Sequence, residues 1–553
     1  MRREIWKRFT ARISGGDEQS ARFKVAVAAI AGALVCGGPT ANAADSAAVH
    51  AKAEHVVLMV WDGMRPDFIT PEGAPTLRIL ADGGTFFANH HSVYISTTEV
   101  NGTALATGCY PNRSTVLANR EYRPDLNLVR SFPTESLAYM RLADALTDHH
   151  YLAVPTLAET IQAAGFPTII AGAKPVVCLH DRSLERATAA AKASVLLYAG
   201  ATEPQSALAA LEEALGPFPL PPALPYVPNL DQNNWTTDAL TQVLWKDGVP
   251  KFTLLWLSNP DHMQHQIGPG APPSLETIRN CDSNLATVLG ALEAKKVRDK
   301  TDVLIVSDHG FSTVNRAIEL PLLLRRAGFP VFREFHQTPE PGEILTVALG
   351  GSNLFYVTGH DEATIQRLVD FLQGTDFCGP IFTRAGLPGT LPLKDVRLDT
   401  PYAPDIVFAY RWTEDKNYFG APGSLASEGL AASKRLGFGT HGSLSRYDLH
   451  NTLVANGPDF RAGFRDELPT ANVDVAPTIL HLLGIDQLQP MDGRVITEAL
   501  AGQTAPPPVV EKKTLSARRK TDTIAWEQTL HVTTVNGKVY LDDGNAGAPE
   551  VGQ

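Results

Sequence analysis

The chain has 553 residues, of which 44% are hydrophobic, 8% aromatic and 19% charged, and its formal net charge is −11. That length suits one large α/β domain with insertions or two domains, and the composition excludes a disordered tail protein and a polytopic membrane protein. An acidic balance also argues against nucleic acid or anionic membrane as a partner, so a phosphate-bearing ligand must be drawn by a local cation.

The basic, polar start MRREIWKRFTARISGGDEQSARFK leads into the apolar run VAVAAIAGALVCGG and an A-x-A site at Ala41-Asn42-Ala43. This order predicts a signal peptide over residues 1–43 and an exported, periplasmic or secreted protein, with no stable membrane insertion once the signal is cleaved. Cleavage after Ala43 removes seven Lys/Arg and three Asp/Glu, taking the charge from −11 to about −15. Of the five cysteines, Cys36 leaves with the signal; Cys109, Cys178, Cys281 and Cys378 are enough for two bridges in an exported protein, with connectivity open.

From residue 55 onward, apolar strand-like runs alternate with amphipathic stretches. HVVLMVWD (55–62), FPTIIAG (166–172), FTLLWLS (252–258), DVLIVSD (302–308) and PDIVFAY (404–410) read as a buried, mostly parallel sheet. APTLRILADGG, TLAETIQAAG, SALAALEEALG and TIRNCDSNLATVLGALEAKK read as the helices that flank it in an α/β fold. Within a catalytic domain spanning 44–500, residues from about 315 to 435 break this rhythm and predict a smaller inserted α+β lobe. The tail, 501–553, reads as a linker and a hairpin turning at Asn536-Gly537, with disorder after about 544.

In an open parallel sheet, ligands bind beyond the carboxyl ends of the strands. Three runs end in Asp: Asp62, Asp261 and Asp308. His265 follows Asp261 by one helical turn, His309 adjoins Asp308, and His441 lies in the small-residue segment GFGTHGS. Oxygen and imidazole donors of this kind suit Zn²⁺. The pairs His90-His91 and His149-His150 lack such context and read as surface or packing residues.

In this order, VWDGMRPDF, YISTTEVNGTALATGCYP, PDHMQHQIGP, SDHGF, GTHG and DVAPTILHLLG resemble the alkaline phosphatase superfamily, and within it the nucleotide pyrophosphatase/phosphodiesterase-like branch. The resemblance covers most of 55–320 and 435–485. It implies an alkaline phosphatase-like fold and two Zn²⁺ ions, one held by Asp62, Asp308 and His309, the other by Asp261, His265 and His441. It implies Thr98 as a nucleophile contacting both metals, with Thr97 as its rival, and Asn119 as a donor to a phosphoryl oxygen. The substrate implied is a small phosphate ester.

Two features bear on which ester. In the family a Lys/Arg pair favours monoesters, and His180 and Arg182 in VVCLHDRS loosely occupy that stretch, which keeps phosphomonoesterase activity as an alternative to phosphodiesterase. Related nucleotide-cleaving enzymes have an aromatic residue after the nucleophile, whereas Glu99 here would favour a positively charged or hydroxylated leaving group. CYPNR at Cys109 to Arg113 formally matches a sulfatase pattern but at the wrong position; sulfatase and a non-catalytic metal-binding module are the remote alternatives.

Overall fold

The computed structural model describes residues 52–182, 186–428, 436–502, 507–522, 524–548 and 550–551. The expected signal peptide and its cleavage site lie outside these residues.

A nine-stranded sheet organises the fold. In chain order its strands are β1 (His55–Trp61), β2 (Thr85–Phe87), β3 (Thr168–Gly172), β4 (Val195–Tyr198), β5 (Ala201–Glu203), β6 (Phe252–Leu257), β7 (Thr301–Val306), β8 (Leu453–Asn456) and β9 (Phe464–Asp466). Across the sheet they run β9-β2-β8-β7-β1-β6-β3-β4-β5. The five strands from β7 to β4 are parallel, with Val56 opposite Asp302 on one side and Phe252 on the other.

The unbroken apolar run of β1 is what a strand covered on both faces requires. Val56, Leu58 and Val60 enter one core, with Leu105, Val475 and Ile479 of the helices α1 (Thr98–Thr107) and α4 (Asn472–Leu483). Val57, Met59 and Trp61 point the other way, toward Ile278, Leu285, Val288 and Leu292 of α3 (Pro272–Ala294). Alternation along the strand thus separates two hydrophobic layers, with helices on both sides. The short α2 (Asp261–Ile267) follows β6. No described helix is long and apolar enough to cross a membrane.

One strand expectation is corrected. Ile406–Tyr410, within the run 404–410, belongs to a separate six-stranded sheet, antiparallel to both of its neighbours, Ser352–Val357 and Cys378–Thr383. An apolar run reports burial on both faces, which either sheet supplies, and cannot say which sheet it joins. A further four-stranded sheet pairs Pro422–Glu428 with Ser312–Ile318, which in turn pairs with Gly439–Thr440.

The tail forms strands Val510–Lys520, Ile524–Val535 and Lys538–Ala546, the last two turning at Asn536-Gly537. Order continues beyond 544: pairing with the Ile524–Val535 strand runs to Ala546 and resumes at Glu550–Val551. The tail is anchored, since Gln528 caps both the N–H (2.7 Å) and the carbonyl (2.9 Å) of Ile381. Cys109, Cys178, Cys281 and Cys378 are all free and buried, which corrects the two-bridge expectation.

Candidate active site

Four adjacent parallel strands deliver charged side chains to one place. Asp62 follows β1, Asp261 lies just beyond β6, Asp308 lies just beyond β7, and Lys174 stands two residues past β3. Backbone carbonyls fix the three imidazoles: His309 Nδ1 lies 2.9 Å from Gly310 O, His265 Nδ1 3.2 Å from Gly439 O, and His441 Nδ1 2.9 Å from Ser96 O. With Nδ1–H donating, each ring turns Nε2 toward the carboxylates.

Asp261 Oδ1 lies 3.1 Å from His265 Nε2 and 3.4 Å from His441 Nε2. His309 Nε2 is 3.2 Å from Asp308 Oδ2, 3.7 Å from Asp62 Oδ1 and 4.0 Å from Asp261 Oδ1. Two tight ligand groups result, Asp261/His265/His441 and Asp62/Asp261/His309, with Asp261 common to both. Asp308 stands beside the second group and also accepts the Gly63 N–H at 3.0 Å. Asp62 Oδ1, Asp261 Oδ1 and Asp308 Oδ2 are buried without a hydrogen-bond partner among the described residues. Orphaned carboxylate oxygens facing imidazole nitrogens fit divalent cations, because so much buried negative charge is otherwise very costly.

The electrostatics carry the same strain. Burial, then Asp308 and Asp261, push the Asp62 carboxyl well above its ordinary range, and burial lifts Asp308 to about 6. Burial acts on Asp261 too, but Lys174, His265 and His441 outweigh it and hold that carboxyl well below the usual range. Burial and the neighbouring His441 keep His309 neutral, as a metal ligand must be.

Thr98 opens helix α1 and is buried; its Oγ1 lies 3.3 Å from His309 Nε2 and 3.5 Å from Lys174 Nζ. The rival Thr97 is the residue before the helix and lines a cavity beside His265 and His441. Asn101 explains the T-x-x-N spacing: its amide accepts from Val93 N (2.7 Å) and donates to the carbonyls of Val93, Ile95 and Thr97, bracing the segment that ends at Thr98. Asn119 lines the cavity, and its Oδ1 accepts the Glu99 N–H at 3.2 Å, which leaves its NH₂ to donate.

Lys174 escaped the sequence reading. Its ammonium donates to Asp62 Oδ2 at 2.8 Å and to Asp261 Oδ2 at 3.2 Å, while Trp256 Nε1 donates to Asp62 Oδ2 at 2.9 Å. AGAK ends a strand run as WD and VSD do, so its place at the carboxyl end of the sheet is legible in the sequence although its partners are not.

The other sequence candidates fall elsewhere. Arg182 pairs with Asp144 and reaches Leu152 O, an intramolecular bridge in place of the expected phosphate contact. His180 is buried edge-on against Trp256, where burial lowers its pKa to about 3. Glu99 is buried, its carboxyl raised by burial and by Glu135, rather than open to a leaving group. His90 packs between Thr470 and Asn472, and His149 and His150 are exposed. Cys109 lies beyond the far end of α1, roughly 15 Å from Thr98 at the helical rise per residue. That removes the sulfatase reading from this centre.

The family model for type I phosphodiesterase / nucleotide pyrophosphatase matches residues 56–419. The chain belongs to this family. It is therefore a phosphoric ester hydrolase of the alkaline phosphatase superfamily, within a metal-dependent family. Among similar proteins, bis(5'-adenosyl)-triphosphatase enpp4 of Mus musculus is 21% identical over 467 residues, 81% of this chain and 80% of the relative. Ectonucleotide pyrophosphatase/phosphodiesterase family member 7 of Homo sapiens is 24% identical over 264 residues, 46% of this chain and 50% of the relative. Solved structures of ectonucleotide pyrophosphatase/phosphodiesterase 5 share the fold: the murine protein in complex with AMP at TM-score 0.56 and 17% identity, the human protein at 0.57 and 19%. Each covers 81% of this chain and 100% of its own. His441 lies beyond the matched span, with its Nε2 3.4 Å from Asp261 Oδ1.

Proposed function

We propose that this family member is an exported two-zinc phosphodiesterase in which Thr98 is the nucleophile. The observation that carries the reading is the position of Thr98 Oγ1, at the head of a buried helix and 3.3 Å from His309 Nε2. Asp62, Asp308 and His309 would hold one ion and Asp261, His265 and His441 the other, with Asp261 close enough to serve both. When bound, two dications supply Lewis-acid charge that favours the Thr98 alkoxide and offsets charge on the phosphoryl oxygens.

Thr98 Oγ forms a bond to phosphorus as the bond to the leaving oxygen breaks, giving a phosphothreonine. Water then cleaves that intermediate and restores the hydroxyl. The α1 N-terminus favours the anion, and the Asn119 NH₂ donates to a phosphoryl oxygen as its charge grows. A small nucleotide-like diester or anhydride is the substrate class in keeping with the relatives, one named for a bis-adenosyl triphosphate and another solved with AMP. Export is supported by the order of residues 1–43.

A second reading, phosphomonoester hydrolysis, is favoured by one observation: Lys174 Nζ stands 3.5 Å from Thr98 Oγ1, where a cation meets an extra phosphate oxygen. Purified protein assayed on a chromogenic phosphate diester, the matching monoester and a sulfate ester separates the readings. Thr98→Ala is expected to abolish turnover while zinc content, measured by elemental analysis, persists. Full activity in that variant would overturn the assignment of the nucleophile, and strong monoester preference would promote the second reading.

A further inference from the structure

A cavity of about 360 Å³ opens beside the metal ligands. Thr97, Asn119, His265 and His441 line it together with Arg120, Arg333 and Glu428. We infer that this cavity binds an anionic group, a carboxylate or a second phosphate, carried by the substrate beyond its scissile phosphate, with Arg120 and Arg333 as the specificity-determining residues. The inference rests on the phosphoester reading of the Thr98 centre and adds a substrate class to it.

Arg333 is built to present its charge. Its Nε (3.2 Å) and Nη2 (2.6 Å) both donate to Glu428 Oε1, and the other oxygen of that buried carboxylate accepts from Asn353 Nδ2. The Glu428 carboxylate is 2% exposed and the Arg333 side chain 42% exposed, so the acid is the buried anchor and the guanidinium the open face. Arg120 is held by a single Nη2 bond to Ser131 O at 3.2 Å and is otherwise exposed. Two guanidinium groups against one engaged carboxylate leave the cavity lining cationic in a chain of net charge −11. Such forks match the geometry of carboxylate and phosphate, and the neighbouring dications would add to the same field.

The cavity spans two parts of the chain. Arg333 follows the Val331–Phe332 strand, Leu349 and Gly350 follow the Ile344–Ala348 strand, and Glu428 ends the Pro422–Glu428 strand, all within 315–435. Gly350 at φ +72° lets the backbone there approach; a Cβ at this position would meet Thr440 Oγ1 at 2.5 Å and His441 O at 2.6 Å. The intervening segment thus provides part of the lining of the substrate site, at a distance from the ligand histidines fixed by backbone contact.

The test uses three para-nitrophenyl phosphodiesters whose second ester group is propyl, carboxyethyl or phosphoethyl, with zinc-loaded wild type, Arg120→Ala and Arg333→Gln. Wild type is expected to prefer an anionic ester over propyl in kcat/KM, and each substitution is expected to reduce that ratio about tenfold or more, the range for losing a charge-assisted hydrogen bond. The larger of the two wild-type ratios identifies carboxylate or phosphate as the group bound. An absent preference in wild type, or one that survives both substitutions, overturns the inference. Should Arg333→Gln fail to fold, Arg120→Ala, on a solvent-facing residue, decides alone. Cleavage of all three esters with equal efficiency removes only this inference, whereas cleavage of none removes the phosphoester reading itself.

Discussion

Asn472 Nδ2 donates to Asn101 Oδ1 at 3.0 Å and to the carbonyl of Asp308 at 2.8 Å, so one buried amide joins the helix that Thr98 opens to the loop that carries Asp308. Asn101 in turn braces residues 93–97, and neither asparagine touches the reacting atoms. Both are positioning residues. Asn101→Ala would strand several buried backbone groups and is expected to cost about 3 kcal/mol of stability. In urea unfolding its midpoint should fall, and kcat should fall further than unfolding accounts for, because Thr98 loses its brace. Unchanged kcat in the folded fraction would remove the positioning role.

Lys174 balances buried carboxylates that divalent cations would otherwise neutralise. Lys174→Ala should therefore destabilise the chelator-treated protein by about 3 kcal/mol, the scale for an uncompensated buried charge. The zinc-loaded protein should lose much less. Thermal unfolding of both forms with and without chelator measures the difference, and equal losses would show that the ammonium does not substitute for metal charge.

Arg182 is predicted to act on stability alone. Its partner Asp144 is 12% exposed at the side chain, and Arg182 is 9% exposed. Breaking so buried a pair is expected to cost about 3 kcal/mol. The ratio of monoester to diester cleavage in Arg182→Ala should equal that of wild type; a selective loss of monoester turnover would return the residue to the substrate site.

Asp302 gives a pH dependence remote from the metal ligands. Burial, then the nearby Asp459, raise its carboxyl to about 8. The folded protein therefore holds this proton at pH values where the unfolded chain, with a pKa of about 4, has lost it. Stability from this group is complete below about pH 4, declines as pH rises toward 8, and is level above. Asp302→Asn keeps an acceptor for the Asp459 N–H while removing the ionisation. Its urea midpoint should approach wild type near pH 4.5 and exceed it at pH 8.5, and an advantage that does not grow with pH would count against burial as the cause.

The strand ends, more than the helices, made the centre legible. Asp62, Asp261, Asp308 and their histidines could be read in order because a parallel strand must stop where its backbone leaves the sheet, and polar residues there face the ligand side. Lys174 obeyed the same rule on β3, yet an isolated lysine after a strand has no ligand signature in one dimension. Arg182 was misplaced for the opposite reason: its spacing suited a phosphate contact, and only packing revealed Asp144 beside it.

The sequence by itself determined the α/β layering, the Asp and His side chains that gather beyond the strand ends, and a hairpin at Asn536-Gly537, because each depends on local periodicity or a short motif. Tertiary structure alone decided that Asp261 is common to two Asp/His groups, that Ile406–Tyr410 joins a second sheet, and that Arg120, Arg333 and Glu428 line one cavity. Those pairings join residues from tens to hundreds of positions apart. They are set by strand order and by close backbone approaches such as Gly350 against His441, and neither leaves a mark on the spacing of residues along the chain.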